Sequence, residues 1–193
     1  MTKATDKPQD LRIRIKYKPR RLFQMRIAGL AFHDGHVLIH RGIEEEFWSF
    51  PGGRAEMGET SETTLKREMV EELGVKAEVG RLLWVVENFF HYENRDYHEL
   101  GFYYLMRLPE TFPFHPSDIV HTLDEDGKIL EFRWVRATRQ ALLDVDVPPY
   151  FIADEIEDLP QQTRHLVWDD RDLDSSESRQ NFRRLERSDT VGN

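Results

Sequence analysis

The chain has 193 residues, 39% of them hydrophobic and 33% charged, with a net charge of −9 at pH 7 and a pI near 5.4. That length favours one domain with short additions at its ends, and the acidic balance argues against a general nucleic-acid binder, which carries a basic face. The absence of cysteine excludes disulfides, thiolate metal sites and cysteine nucleophiles.

Residues 1–10 are polar and lack the apolar core of a signal peptide. No run of about 18 apolar residues is present, so no membrane partner and a cytoplasmic location are expected. Leu11, Ile13, Ile15 and Tyr17 alternate with Arg12, Arg14 and Lys16, the period of a half-buried strand, closed by Pro19. Residues 1–20 thus read as an N-terminal extension carrying one strand. Met25 to Phe32 and Val37 to His40 are apolar runs separated by His33-Asp34-Gly35-His36, and an Asp-Gly pair there predicts a hairpin. The short aromatic run Phe47 to Phe50 ends at Pro51-Gly52-Gly53, read as a loop. A helix follows. Glu78 to Phe90, Leu100 to Leu108 and Ile129 to Val135 read as strands, and Thr138 to Val145 and Tyr150 to Leu159 as helices. Residues 169–193 are almost all polar, cannot bury much apolar surface, and read as a flexible tail; an amphipathic helix around Phe182 to Leu185 is the alternative. The main domain spans 21–168, and mixed strands and helices make it α/β or α+β.

The mid-chain helix carries the chemistry. Thr60 is its N-cap candidate, Glu62 suits the positive end of the helix dipole, and Gly74 ends it, bounding the helix at roughly 61 to 73. Leu65, Met69 and Leu73 recur at every fourth position and form a buried stripe. Glu68, Glu71 and Glu72 share another face, where like charges repel by a few tenths of a kcal/mol per pair. A divalent cation among them removes that cost, and carboxylate oxygens suit Mg²⁺ or Mn²⁺.

The segment Gly53 to Val75, GRAEMGETSETTLKREMVEELGV, resembles the Nudix hydrolase signature G-x5-E-x7-R-E-U-x-E-E-x-G-U, U being a bulky aliphatic residue. Gly53, Glu59, Arg67, Glu68, Glu71, Glu72 and Gly74 match it as identities, and Met69 and Val75 fill the apolar places. The Pro-Gly-Gly turn before it and the Glu131 to Trp134 pattern after it extend the likeness over about Met25 to Leu143. The resemblance implies an α/β/α sandwich around a mixed β-sheet. It also implies that Glu68 and Glu72 are the foremost metal ligands, followed by Glu71, with the Gly53 carbonyl completing the sphere. Arg67 would brace the carboxylates by charge-assisted hydrogen bonds. Glu59 would pair with Arg67 or hold metal through water, and Gly58 would serve backbone geometry. The implied reaction is metal-assisted attack of water on phosphorus, with Mg²⁺ or Mn²⁺ neutralising the substrate oxygens and a carboxylate taking the proton. The acidic groups would titrate as a coupled set.

Outside the signature the candidates are weaker. Asp124, Glu125 and Asp126 read as an acidic loop before a strand. Glu87 and His98-Glu99 flank apolar strands and could reach a cleft. Trp48, Phe50, Phe89, Phe90 and Tyr97 could stack on a base, although most fit a core. Arg41, Arg54 and Arg95 are phosphate-holding candidates.

The implied partner is a small nucleoside diphosphate derivative: a nucleoside triphosphate, a nucleotide sugar, ADP-ribose or a dinucleotide polyphosphate. The alternative is a regulatory nucleotide-sensing module with the same fold, although sensors of this kind often lose the glutamates kept here. An isomerase of the isopentenyl diphosphate type shares the fold but needs a cysteine. By analogy with relatives a homodimer is an option, with Leu11 to Tyr17 pairing across its interface.

Overall fold

A computed structural model describes residues 11–17, 20–125 and 127–171. The expectations for residues 1–10, for Asp126 and for the tail beyond 171 lie outside these residues.

The first strand, β1 (Arg14–Tyr17), pairs antiparallel with β2 (Arg21–His33) of the same chain, Arg14 opposite Gln24. The expected hairpin joins β2 to β3 (His36–Gly42). Asp34 and Gly35 both hold positive φ, 45° and 70°, the backbone a two-residue turn needs to match strand twist. Only Phe32↔Val37 and His33↔His36 pair next to this turn. Beyond them β3 diverges from β2, while its other edge pairs with β8 (Lys128–Arg136) along its whole length.

Gly52 and Gly53, read from the sequence as loop, form with Arg54 a short strand, β4 (Gly52–Arg54), antiparallel to Ala28, Ile27 and Arg26 of β2. The helix α1 (Ser61–Leu73) follows, with the expected cap: Thr60 Oγ1 accepts from the Thr63 N–H at 3.2 Å, and Gly74 closes it at φ 67°. Then come β5 (Glu78–Tyr92) and β6 (Arg95–Arg107), an antiparallel pair. Next is β7 (Ile119–Glu125), which takes in part of the stretch read as an acidic loop. The loop character survives only at its end, where Asp124 Oδ1 accepts from the Gly127 N–H at 2.8 Å. Two short helices, α2 (Arg139–Asp144) and α3 (Phe151–Glu155), precede β9 (Arg164–Asp169).

The strand order is β7-β8-β3-β2-β6-β5-β9, with β1 and β4 also on β2. The β2–β6 and β5–β9 pairs are parallel and the rest antiparallel, so the sheet is mixed. One face is covered by α1, whose Leu65, Met69 and Leu73 bury against Ile27, Leu38, Tyr104, Phe132 and Trp134. Each such side chain contributes about 1.5–3 kcal/mol on burial. The other face is covered by α2 and α3, with Leu142, Phe151 and Ile152 against Leu30, Trp84, Tyr103 and Trp168. The result is the expected α/β/α sandwich. No helix among the described residues is long and apolar enough to cross a membrane.

Candidate active site

Two glycines bring α1 onto the backbone of β4. Gly52 has φ 138°, and a Cβ there would stand 2.2 Å from the Ile27 carbonyl oxygen. A Cβ on Gly53 would stand 2.2 Å from the Glu68 carboxyl carbon. The missing side chains therefore leave room for two carboxylates of α1 at this strand. Glu72 Oε2 accepts from the Gly52 N–H at 3.2 Å, and Glu68 lies against Gly53.

Arg67 organises the acids. Its Nε and Nη2 donate to the two oxygens of Glu59 at 2.9 and 3.1 Å, and its Nη1 donates to Glu68 at 2.8 Å and Glu71 at 2.9 Å. Nη2 also reaches the Arg54 carbonyl at 3.2 Å. The two-pronged contact with Glu59 has the planar geometry that makes guanidinium–carboxylate pairs strong. Glu59 also accepts from Thr64 Oγ1 at 2.9 Å and from the Glu56 N–H at 3.3 Å. It is tied into the loop rather than projecting from it.

The electrostatics separate the acids. The Arg67 hydrogen bonds hold the Glu59 carboxyl below the ordinary glutamate range. Burial pushes Glu68 the other way, upward, although Arg67 opposes it. The Glu68 and Glu72 side chains are 14% and 11% exposed, against 57% for Glu71. The signature thus presents two sheltered carboxylates and one at the solvent edge.

His40 of β3 adds a neighbour that the sequence did not single out. Its Nδ1 lies 3.8 Å from Glu72 Oε1 and has no hydrogen-bond partner, and its ring stacks on Phe132. Burial first, and then the Arg26 charge, hold its pKa at about 3. The contact with Glu72 is that of a neutral imidazole beside a carboxylate, not an ion pair.

The remaining candidates divide. Arg41 donates to Glu131 at 2.8 Å and lies over the Trp48 ring at 4.5 Å, with Arg133 near the same ring at 5.1 Å. Phe50 is core. Phe90 stacks on Tyr97, and Phe89 on His98. Glu99 is buried and accepts from the Gln24 amide. Glu87 meets His165 at 3.0 Å, between β5 and β9. Arg95 opens β6 opposite Tyr92, at the far end of the sheet hairpin. Arg54 sits opposite Arg26 in the β2–β4 pair. Burial first, and then Arg14, Arg12 and Arg26, hold its guanidinium below the ordinary arginine value. Sequence reading passed over Arg26. Its one signal was a charge inside the otherwise apolar run of β2. A concavity of about 550 Å³ lined by Asp154, Glu155, Asp158 and Arg164 lies beside α3 and β9, away from α1.

Among the described residues, no three His, Asp or Glu side chains converge into a ready cation cage. The Arg67 guanidinium stands between Glu59, Glu68 and Glu71 instead. The donor set still fits a hard divalent cation. Glu68 is buried with its charge incompletely compensated, and its carboxylate lies where a side chain on Gly53 would otherwise be.

A family model described as NUDIX domain matches residues 23–152, about two thirds of the chain and the whole loop–helix just described. The chain belongs to the NUDIX family. It is similar to a MutT-like protein of Streptomyces ambofaciens, 38% identical over 68 residues, covering 35% of this chain and 44% of that protein. It is also similar to an RNA pyrophosphohydrolase of Acinetobacter baylyi, 29% identical over 122 residues, covering 63% and 64% of the two chains. The alignments to the first four curated relatives span 31% to 44% of those proteins' own length. Among solved structures, a NUDIX hydrolase from Nitrosomonas europaea superposes with a TM-score of 0.52 at 14% identity, over 79% of this chain and 81% of that one. That likeness carries the NUDIX fold and nothing finer.

Proposed function

We propose that this chain is a divalent-cation-dependent pyrophosphohydrolase that cleaves a nucleoside diphosphate linked to another moiety by attack of water at phosphorus. The observation that carries the reading is the close approach of Glu68 and Glu72 to the Gly52-Gly53 backbone, with Arg67 bracing Glu59, Glu68 and Glu71. Membership of the NUDIX family and relatives named RNA pyrophosphohydrolase support it.

Glu68 and Glu72, with Glu71 at the rim and the Gly53 carbonyl beside them, would hold Mg²⁺ or Mn²⁺. When bound, such an ion neutralises phosphate oxygens and lowers the pKa of water. The chain's own residues supply the rest. Arg67 fixes the Glu68 and Glu71 carboxylates through one nitrogen, Nη1. Glu59 holds Arg67 from the opposite side through Nε and Nη2. The Gly52 N–H orients Glu72 through Oε2, leaving Oε1 to face His40. Glu71, the most exposed of the three signature glutamates on the helix, would take a proton from water at the solvent edge.

The test is hydrolysis of a panel of nucleoside diphosphate derivatives with Mg²⁺ or Mn²⁺, beside Glu72→Gln. Cleavage of one class by the wild type, lost in a folded Glu72→Gln protein, is the expected result. No cleavage, with a ligand raising the melting temperature of both proteins, would favour a nucleotide-sensing module and overturn the enzymatic reading.

A further inference from the structure

The apolar run of β3 ends in a histidine at a core position. Val37 and Ile39 face α2 and α3, Leu38 faces α1, and strand alternation puts His40 on the α1 side with Leu38. The main chain of His40 is held at both edges. Its N–H donates to the Ser49 carbonyl and its carbonyl accepts from the Ser49 N–H, both at 2.8 Å. At the other edge it stands opposite Phe132 of β8, and the two rings stack at 5.2 Å and 27°. The side chain is 9% exposed.

An apolar side chain would fill this place at no polar cost. Histidine instead brings Nδ1, buried without a hydrogen-bond partner, and a buried polar atom left unpaired destabilises a fold. The atom it faces is Oε1 of Glu72, 3.8 Å away, too far for a hydrogen bond. Burial keeps the imidazole neutral, so its charge does not compensate Glu72. Glu72 is itself held in place. Its Oε2 accepts from the Gly52 N–H at 3.2 Å, and its carbonyl accepts from His121 Nε2 at 2.9 Å.

With its proton on Nε2, a neutral imidazole offers a lone pair at Nδ1, as metal-binding histidines do. A nitrogen lone pair and a carboxylate oxygen are both electron-pair donors, and a cation stabilises their approach. Two metal–ligand bonds of about 2 Å each span the 3.8 Å gap without moving strand or helix. Two protein atoms suffice where water and substrate phosphates complete the shell. The nitrogen also bears on which ion is held. Mg²⁺ takes oxygen ligands, whereas imidazole suits first-row transition ions, with affinity rising from Mn²⁺ to Co²⁺.

We propose that Nδ1 of His40 is a ligand of the divalent cation beside Glu72 Oε1, and that this nitrogen makes the site select Mn²⁺, and more strongly Co²⁺, over Mg²⁺. The inference rests on the cation site of the hydrolase reading above, but its measurements need no hydrolysis.

Isothermal titration with Mn²⁺ alone and with Mg²⁺ alone compares the full-length wild type, His40→Asn, His40→Phe and Glu72→Gln. The wild type is expected to bind Mn²⁺ at least about tenfold more tightly than Mg²⁺. His40→Asn, which offers an amide oxygen in place of Nδ1, should lose about 10- to 100-fold in Mn²⁺ affinity and less than about threefold in Mg²⁺ affinity. An equal fall for both ions marks His40 as structural and overturns the proposal. Mn²⁺ binding by Glu72→Gln at the wild-type level overturns it too. Electron spin echo spectroscopy of the Mn²⁺-loaded wild type should show the nuclear coupling of a directly bound imidazole nitrogen, absent in His40→Phe. Coupling that survives in His40→Phe comes from another histidine and overturns the assignment. Should His40→Phe fail to fold, the wild-type spectrum and His40→Asn still decide. Mn²⁺ bound at Glu72 without nitrogen coupling overturns the role of His40 and leaves the hydrolase reading intact. Nitrogen coupling without hydrolysis of any nucleoside diphosphate derivative sinks the hydrolase reading and leaves His40 a ligand.

Discussion

Replacing Arg67 with alanine removes five hydrogen bonds from one side chain. Glu59 and Glu68, 17% and 14% exposed, lose their only cationic partner among the contacts described, whereas Glu71 is exposed enough to hydrate. Breaking a buried ion pair from one side costs about 3–5 kcal/mol. The lower end applies, because Arg67 is itself 22% exposed and Glu59 keeps Thr64 and the Glu56 N–H. A loss of about 3 kcal/mol in a chain of this size lowers Tm by roughly 6–12 °C. Thermal unfolding followed by circular dichroism in EDTA reads this directly. Arg67→Lys should recover less than half, because an ammonium cannot make the two-pronged contact with Glu59. The gap should also depend on pH. Glu59 has a depressed folded pKa, so its contribution is present above the ordinary carboxylate pKa and is lost as pH falls through the folded value. The wild type and Arg67→Ala should therefore converge below about pH 4. A variant melting within about 2 °C of the wild type at neutral pH would refute the view that Arg67 holds the loop onto the helix.

Three further outcomes are expected. His40, with its folded pKa near 3, is depressed relative to the unfolded value of 6.5, so the unfolded chain binds the extra proton. Each pH unit lost between those values then costs about 1.4 kcal/mol, and His40→Gln should flatten urea-denaturation stability between about pH 6.5 and 4; an unchanged slope would count against it. Gly53→Ala pushes Glu68 aside, and isothermal titration of Mn²⁺ should show affinity reduced about 10- to 100-fold with the fold retained; unchanged affinity would remove Glu68 from the cation site. Gly52→Ala meets the Ile27 carbonyl instead of a movable side chain, so it should melt lower than Gly53→Ala, and the reverse order would contradict the packing described for β4.

The helix was legible because its signals are local. Thr60, Gly74 and the Leu65-Met69-Leu73 stripe each act within a few residues. The Asp34-Gly35 hairpin was legible for the same reason. β4 was hidden because two of its three residues are glycines and carry no alternation. β7 was hidden by Asp124 and its acidic neighbours, whose loop preference is overridden by pairing with β8. The acids of the signature could be placed on one helix face from spacing alone. Their approach to Gly52 and Gly53 depends on β4 and β2, and the Arg14–Arg26–Arg54 grouping on registers between distant segments. No local pattern reports such distances. His40 escaped for a like reason: its partner Glu72 comes from another layer of the fold.

The parallel pair of β2 and β6 has a consequence for how the chain acquires its shape. Gln24 and Glu99, linked across that pair, are 75 residues apart in sequence. At synthesis rates of 5–20 residues per second, β2 leaves the ribosome roughly 4 to 15 s before its partner exists. During that interval the strand that organises both halves of the sheet can be satisfied only by its near neighbours β1, β3 and β4. The hairpin with β3 closes just two pairs. β1 and β4, minor strands in the finished sheet, are thus the early partners that cover one edge of β2 in the nascent chain. Long closure of this kind slows folding. A chain truncated before Arg95 would keep the whole carboxylate helix and lack Tyr104 and Met106 of β6, which share its buried cluster.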